Sequence, residues 1–179
     1  MGEIGLFGYG QLETLIARIY GAPAKAQTGA LRGRLRHLRR LGLPIGAARG
    51  SGNKITYGKE QVYELGFCLQ LEQLGIDPSL AVDLLKAYRE TYILRAYANA
   101  EEALQNGEDY FFWLVTEFMS AGWSTKKLKF PGLPVFQAGS LEEFEDAIAR
   151  FDSRQGGCMA LFHMTTLVRE VLEAAKAQE

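Results

Sequence analysis

The chain has 179 residues, of which 47% are hydrophobic and 23% are charged. This composition is typical of a folded globular protein with one or two domains, and it excludes extensive intrinsic disorder. The sequence has no apolar run near the roughly 20 residues that a membrane helix needs, and no secretory signal at its start. Its two cysteines, Cys68 and Cys158, are too few for a disulfide framework. We therefore expect a cytoplasmic protein without a membrane partner.

The net charge is −1, but the charges are distributed unevenly along the chain. The segment from Thr14 to Lys59 contains ten basic residues and no Asp or Glu. The remaining residues include the other ten basic residues and all 21 acids. A basic segment of this length, opposed by an acidic remainder, predicts a region that binds a polyanion.

The N-terminal residues predict an arm followed by a helix. Residues 1–10 contain four glycines and are expected to form a flexible, irregular arm. Leu12, Leu15, Ile16 and Ile19 then follow helical spacing, so a first helix is predicted from residue 11. It is expected to end near residues 21–23, where glycine and proline occur.

The second predicted helix combines an apolar stripe with an arginine arc. It is expected to begin near Thr28 and to end at Gly42, a favourable C-cap. Leu31, Leu35 and Leu38 are spaced i, i+4, i+7 and span about −20° to 40° on a helical projection. The adjoining arc, from about 80° to 180°, holds four basic residues. These are Arg32, Arg36, Arg39 and Arg40.

Residues 44–57 predict a β-hairpin, because short β-prone segments flank the turn at residues 50–53. A phosphate-binding loop is the competing interpretation. It fails because Lys54 follows Asn53 rather than glycine, and because Ile55 stands where Ser or Thr would hold magnesium.

Two further helices are predicted after the hairpin. The third runs from about Lys59 to Leu74 and has a wide apolar face. Asp77 then offers an N-cap oxygen and Pro78 suits the first helical position. The fourth helix is expected to reach about Leu104, and it would be about 40 Å long if unbroken.

The residues after the fourth helix predict a small domain of strands and helices. Strands are expected at residues 110–115, 134–138 and 158–163, and Ser140 and Glu143 form a capping box for a helix that reaches Phe151. A terminal helix follows Thr165 or Thr166. The predicted fold class is α+β, and the predicted domains are residues 1–10, 11–88, 89–107 and 108–179. The last would serve dimerisation or sensing, and the third is a connecting helix.

The order of the N-terminal elements fits a winged helix-turn-helix. Residues 35–43 read Leu-Arg-His-Leu-Arg-Arg-Leu-Gly-Leu, which resembles the second-helix signature Leu-Arg-Tyr-Tyr-Glu-Arg-x-Gly-Leu of MerR-type regulators. Thr28-Gly29 and residues 57–75 resemble the flanking parts of that family. His37, Leu38 and Arg39 depart from the signature. The resemblance covers residues 12–88, and the C-terminal half does not resemble the family's dimerising coiled coil.

The resemblance implies sequence-specific binding of double-stranded DNA and transcriptional regulation by a homodimer, with nucleoid association and RNA polymerase as a further candidate partner. The second helix would enter the major groove, and the hairpin would act as a wing on the flanking backbone. Tyr57 would bind a phosphate or pack in the core, and both alternatives stay open. The candidate DNA-binding residues are Arg32, Arg34, Arg36, His37, Arg39, Arg40, Arg49, Asn53, Lys54 and Tyr57.

Three other interpretations compete with the regulator. The first is an architectural or phage-type recombination and excision accessory protein, which would use the same helix and wing. The second is an enzyme with its site in the C-terminal domain, but no nucleophile–base pair, metal set or cofactor loop supports it. Cys158 and His163 are five apart on a predicted strand and so face opposite sides. The third is a small effector bound among C-terminal aromatic residues, for which an aromatic core is the simpler explanation. We predict no catalytic residue, cofactor or metal.

Overall fold

The computed structural model describes residues 7–22, 28–46, 55–115, 136–150 and 159–177. The fold is mixed α+β and mostly helical, with one sheet of two strands and one of three. The chain divides into two compact units, one of Met1–Tyr88 with Leu167–Glu179 and the other of Arg89–Thr166. Within the described ranges, no helix combines the length and the apolar character needed to cross a bilayer.

The first unit contains four complete helices, two short strands and most of the last helix. Its strands are β1 (Phe7–Gly8) and β2 (Thr56–Tyr57), and its complete helices are α1 (Tyr9–Ile19), α2 (Thr28–Arg40), α3 (Lys59–Gln73) and α4 (Pro78–Tyr88). The core is formed mainly by leucines of α1, α2 and α4 around α3, whose residues 62–69 are all buried. The predicted leucine stripe of α2 is confirmed, since Leu31, Leu35 and Leu38 are all buried.

The N-terminal arm is ordered earlier than the glycine content predicts. Phe7–Gly8 pairs with Thr56–Tyr57 in an antiparallel ladder that sets Phe7 opposite Tyr57. Both aromatic rings are buried, so packing of the pair compensates for a ladder of only two residues. The helix α1 then begins at Tyr9 rather than at residue 11. The prediction of an irregular arm is therefore wrong for residues 7–10.

Both short strands lead directly into a helix through the same local motif. The backbone N–H of Gly8 donates to Gln11 Oε1 at 2.7 Å, and the N–H of Gly58 donates to Gln61 Oε1 at 2.8 Å. Each glutamine, three residues into its helix, thus satisfies an N–H group that the helix leaves without an internal partner. The beginnings of α1 and α3 are fixed in the same way beside the two-stranded sheet.

Gly66 lies where the last helix, α7 (Met164–Lys176), packs against α3. A Cβ added at Gly66 would lie 3.0 Å from Leu167 Cδ2, and the carbonyl of Gly66 accepts a hydrogen bond from the Tyr20 hydroxyl at 2.7 Å. A further ion pair joins α1 to α7, between Arg18 and Glu170 at 3.0 Å. The absence of a side chain at residue 66 therefore permits this close packing.

Replacing Gly66 with valine is expected to lower the free energy of unfolding by about 1–3 kcal/mol, because the branched side chain overpacks the contact with Leu167. Chemical denaturation measures the effect. The matched control is Gly66→Ala, in which a gain in helix propensity of about 1 kcal/mol offsets the tighter contact. Equal stability of the valine and alanine variants would contradict this account of the packing.

The second unit contains a three-stranded antiparallel sheet in the order β4–β3–β5. Its elements are a π-helical turn (Arg89–Ile93), α5 (Leu94–Asn106), β3 (Phe111–Val115), β4 (Phe136–Gly139), α6 (Leu141–Arg150) and β5 (Met159–His163). Phe112 and Trp113 of the central strand are buried, and the Trp113 ring packs against Phe144 of α6 with 5.4 Å between centroids. The predicted strands are thus confirmed in the described residues, although β3 begins one residue later and β4 ends one residue later than predicted. Residues 134, 135 and 158 of the predicted strands lie outside the described residues.

The predicted capping box at the start of α6 is also confirmed. The N–H of Glu143 donates to Ser140 Oγ at 3.2 Å, and the N–H of Ser140 donates to Glu143 Oε2 at 2.8 Å. Glu143 therefore has a structural role, because its carboxylate accepts from a backbone N–H at the positive end of the helix dipole.

Two features of the helices differ from the sequence-based expectation. The fourth helix does continue past residue 88, but as α4, the π-helical turn and α5, which ends at Gly107 with φ of +75°. The last helix does not belong wholly to a domain of residues 108–179, because Leu167 onward falls in the first unit. The physical reason is the packing of Leu167 on Gly66 described above.

Candidate nucleic-acid interface

Helix α2 presents its basic side chains on the outside of the first unit. The leucine stripe is buried, which fixes the rotation of the helix about its axis. The remaining polar positions are consequently exposed. These are Arg32, Arg34, Arg36, His37, Arg39 and Arg40.

Three of these arginines share one open cleft of about 670 Å³. Its lining, within the described residues, comprises Arg36, Arg39, Arg40, Gly42, Leu43, Pro44, Gly46, Ile55 and Tyr57. The three arginines come from the last turns of α2, whereas the other lining residues come from the segment after the helix and from the residues at β2. The lining thus combines cationic side chains with apolar ones.

The arginines of the cleft form no ion pair within the described residues. Among the described residues, no carboxylate pairs with Arg36 or Arg40. The acid-free stretch of sequence explains this, since α2 and the segments that line the cleft all lie within it. Like charges held together in this way repel each other, and an anionic ligand relieves the repulsion.

The segment that follows α2 is held in place by two polar side chains of α3. Glu64 is fully buried, and its Oε2 accepts a hydrogen bond from the backbone N–H of Ile45 at 2.6 Å. Gln61 Nε2 lies 3.5 Å from the carbonyl oxygen of Ile45. These contacts position the neighbouring Pro44 and Gly46, which line the cleft.

The C-terminus of α2 is closed by a glycine and a lysine. Gly42 has φ of +99°, a left-handed backbone conformation that side chains disfavour. Lys86 Nζ donates to the carbonyl oxygen of Leu41 at 3.0 Å, so a positive charge stands at the negative end of the helix dipole. The glycine was predicted as the C-cap, whereas the lysine comes from α4 and was not.

Arg39 is oriented by an aromatic ring of α1. Its guanidinium carbon lies 5.5 Å from the ring centroid of Tyr9, within the range of a cation–π interaction. Tyr57 lies in the same region and is buried, with 1% of its surface exposed. Burial raises the pKa of Tyr57, while the charge of Arg39 opposes that rise. Tyr57 is therefore a protonated residue of the cleft floor, and most of its ring packs in the core.

Arg32 is engaged within the protein. Its Nε donates to both carboxylate oxygens of Glu13, at 3.0 and 3.1 Å, and Glu13 is only 7% exposed. The hydrogen bond to Glu13 is also the main cause that raises the pKa of Arg32. Although Arg32 was predicted on the same arc as the cleft arginines, part of its donor capacity and charge is satisfied by α1.

Arg34 and His37 lie on another side of α2. On the helical projection they fall at about 300° and 240°, away from the arginine arc. Burial raises the pKa of Glu72 in α3, and electrostatic interactions with Arg34, and after it with His37, oppose that rise. Their electrostatic neighbour is thus Glu72, and neither residue lines the cleft.

The structure brings together Arg36, Arg39, Arg40 and Tyr57 of the predicted DNA-binding residues. The predicted residues of the hairpin turn, Arg49, Asn53 and Lys54, lie outside the described residues. Sequence reasoning missed Tyr9 because it falls in the segment expected to be an irregular arm. The available signal was its position four residues before Glu13, on the same face of a helix.

Metal-ligating and thiol groups indicate no second site among the described residues. Within the described ranges, no group of three His, Cys, Asp or Glu side chains is placed to hold a metal ion. Cys68 is fully buried, and burial raises its pKa, so its thiol is unreactive. The chain matches no protein-family model and no curated protein sequence.

Proposed function

We propose that the protein binds double-stranded DNA in a sequence-specific manner and regulates transcription as a homodimer. The observation that carries the proposal is the cleft that Arg36, Arg39 and Arg40 line together without an ion pair to a carboxylate of the described residues. A ligand with regularly spaced negative charges matches this arrangement, and duplex DNA carries one such charge per about 1.7 Å of its axis.

The dimensions of α2 support its role as a recognition helix. Its 13 residues give a length of about 20 Å, and an α-helix fits the major groove, which is about 12 Å wide. The buried leucine stripe holds the helix rigidly on the unit while the arginine face points outward. In this pose, Arg36 and Arg39 would meet backbone phosphates or the O6 and N7 atoms of guanine.

The segment between α2 and β2 would act as the wing of a winged helix-turn-helix. The described ends of this segment, Gly46 and Ile55, both line the cleft. The resemblance implies that Arg49 and Lys54 would add contacts to the flanking backbone. The similarity of residues 35–43 to the MerR-type signature supports the same arrangement, with RNA polymerase as a further partner.

Titration of the wild-type protein against labelled duplex DNA over a range of salt concentrations tests the proposal. Three phosphate contacts in the cleft predict that log K falls against log salt with a slope of about −2.7 or steeper. Sequence specificity is measured by competition, with genomic fragments that are first recovered together with the protein. An excess of unrelated duplex should displace the protein from random fragments but not from these genomic fragments. Absence of binding at low salt would refute DNA binding, and complete displacement would refute sequence specificity.

A further inference from the structure

We propose that Tyr9 is a positioning residue for DNA binding: its ring holds the guanidinium of Arg39 in the cleft, directed at a backbone phosphate. This inference rests on the proposed function and extends it to a residue that has no direct contact with DNA. It assigns to the beginning of α1 the task of orienting the end of α2.

The contact between Tyr9 and Arg39 joins elements that are otherwise fixed. Tyr9 is the first residue of α1, directly after the strand β1, and its position is set by the ladder to β2 and by the capping of Gly8 by Gln11. Arg39 lies in the last turn of α2, where the buried Leu38 fixes the backbone. The position of the Tyr9 ring is thus fixed by the backbone, and the ring can restrict the rotamers of the long Arg39 side chain.

The chemistry of Tyr9 indicates that the ring, and not the hydroxyl group, performs this role. The hydroxyl oxygen is buried and has no hydrogen-bond partner among the described residues. A buried hydroxyl without a partner costs stability, and it is not placed to reach a ligand outside the protein. The aromatic face, in contrast, lies 5.5 Å from the guanidinium carbon of Arg39.

Tyr9 and Glu13 together form a row on α1 that faces the arginine arc. They are four residues apart and therefore lie on one face of the helix. Glu13 forms an ion pair with Arg32 and neutralises its charge. Tyr9, in contrast, contacts Arg39 without neutralising its charge. A cation–π contact leaves the positive charge of the guanidinium available for a phosphate, because the aromatic ring carries no opposite net charge.

The consequence for binding is a lower entropic cost at Arg39. A free arginine must give up several rotatable bonds when it meets a phosphate, whereas an arginine already held over a ring has lost part of that freedom before binding. Arg36 and Arg40 have no such aromatic contact among the described residues. Loss of the Tyr9 ring should therefore weaken DNA binding through Arg39 alone.

A double-mutant cycle on the full chain tests the inference. Tyr9→Leu is combined with Arg39→Ala, and separately with Arg36→Ala, which lines the same cleft but does not contact the ring. We expect Tyr9→Leu to weaken binding to duplex DNA about two- to fivefold in the wild-type and Arg36→Ala backgrounds. It should have no further effect in the Arg39→Ala background. The Tyr9→Phe variant should bind DNA with the wild-type affinity, since it keeps the aromatic ring.

Circular dichroism and thermal melting establish that each variant is folded at the titration temperature. Tyr92→Leu is the control for a Tyr-to-Leu change away from the cleft, because Tyr92 is an exposed residue of the second unit. Equal weakening by Tyr9→Leu in the Arg36→Ala and Arg39→Ala backgrounds would overturn the positioning role and leave DNA binding intact. An affinity of the Tyr9→Phe variant as low as that of Tyr9→Leu would also overturn the positioning role and leave DNA binding intact. Failure of the wild-type protein to bind DNA would overturn the proposed function itself.

Discussion

Simultaneous replacement of Arg36 and Arg39 with alanine is expected to weaken binding to duplex DNA about 60-fold at roughly 0.1 M salt. Each phosphate contact contributes a slope of about 0.9 to the dependence of log K on log salt, which is close to tenfold in affinity between 1 M and 0.1 M salt. Two lost contacts should therefore reduce the slope by about 1.8, and the affinities of the variant and wild-type proteins should converge near 1 M salt.

The stability of this double variant should change little, because both side chains are exposed and neither forms an ion pair with a described residue. Arg95→Ala with Arg150→Ala is the matched control, since it removes the same charge from exposed positions of the second unit. Arg150 forms a surface ion pair with Asp146 at 3.0 Å, and such a pair contributes about 0–1 kcal/mol. Equal slopes for the two double variants would mean that net charge, rather than the cleft, governs binding.

Periodicity in the sequence predicts the core-facing side of α2 and hence its exposed side. The leucine stripe and the arginine arc follow from 100° per residue, and the structure confirms the burial of Leu31, Leu35 and Leu38. The same projection separates Arg34 and His37 from the arc, although composition alone groups them with it. Local chemistry likewise predicts the capping box of Ser140 and Glu143, because that motif depends only on residues three apart.

The parts that sequence reasoning missed depend on contacts between distant segments. A strand of two residues, such as Phe7–Gly8, is too short to show alternation, so its pairing with Thr56–Tyr57 has no sequence signal. The engagement of Arg32 by Glu13 requires knowledge of how α1 packs on α2. The division of α7 between units depends on the approach of Leu167 to Gly66, which no local pattern reveals.

Removal of the Glu64 carboxylate is expected to lower the free energy of unfolding by about 2–4 kcal/mol in the Glu64→Ala variant. Two effects add: the N–H of Ile45 loses its acceptor, which costs about 1–3 kcal/mol, and the fully buried side chain leaves an unfilled volume. Chemical denaturation measures the change. Glu64→Gln is the matched control, because its carbonyl oxygen can still accept from Ile45, and it should lose about half as much.

The same substitution connects the core of the first unit to the cleft. Glu64 holds Ile45, which is flanked by two residues that line the cleft. Loss of the carboxylate should therefore also increase the mobility of this part of the cleft lining. We therefore expect Glu64→Ala to bind DNA more weakly than Glu64→Gln under conditions where both are folded, although neither change touches an arginine. Hydrogen exchange at the N–H of Ile45 should rise in the alanine variant and stay protected in the glutamine variant. Equal protection in both would show that Glu64 does not hold this segment.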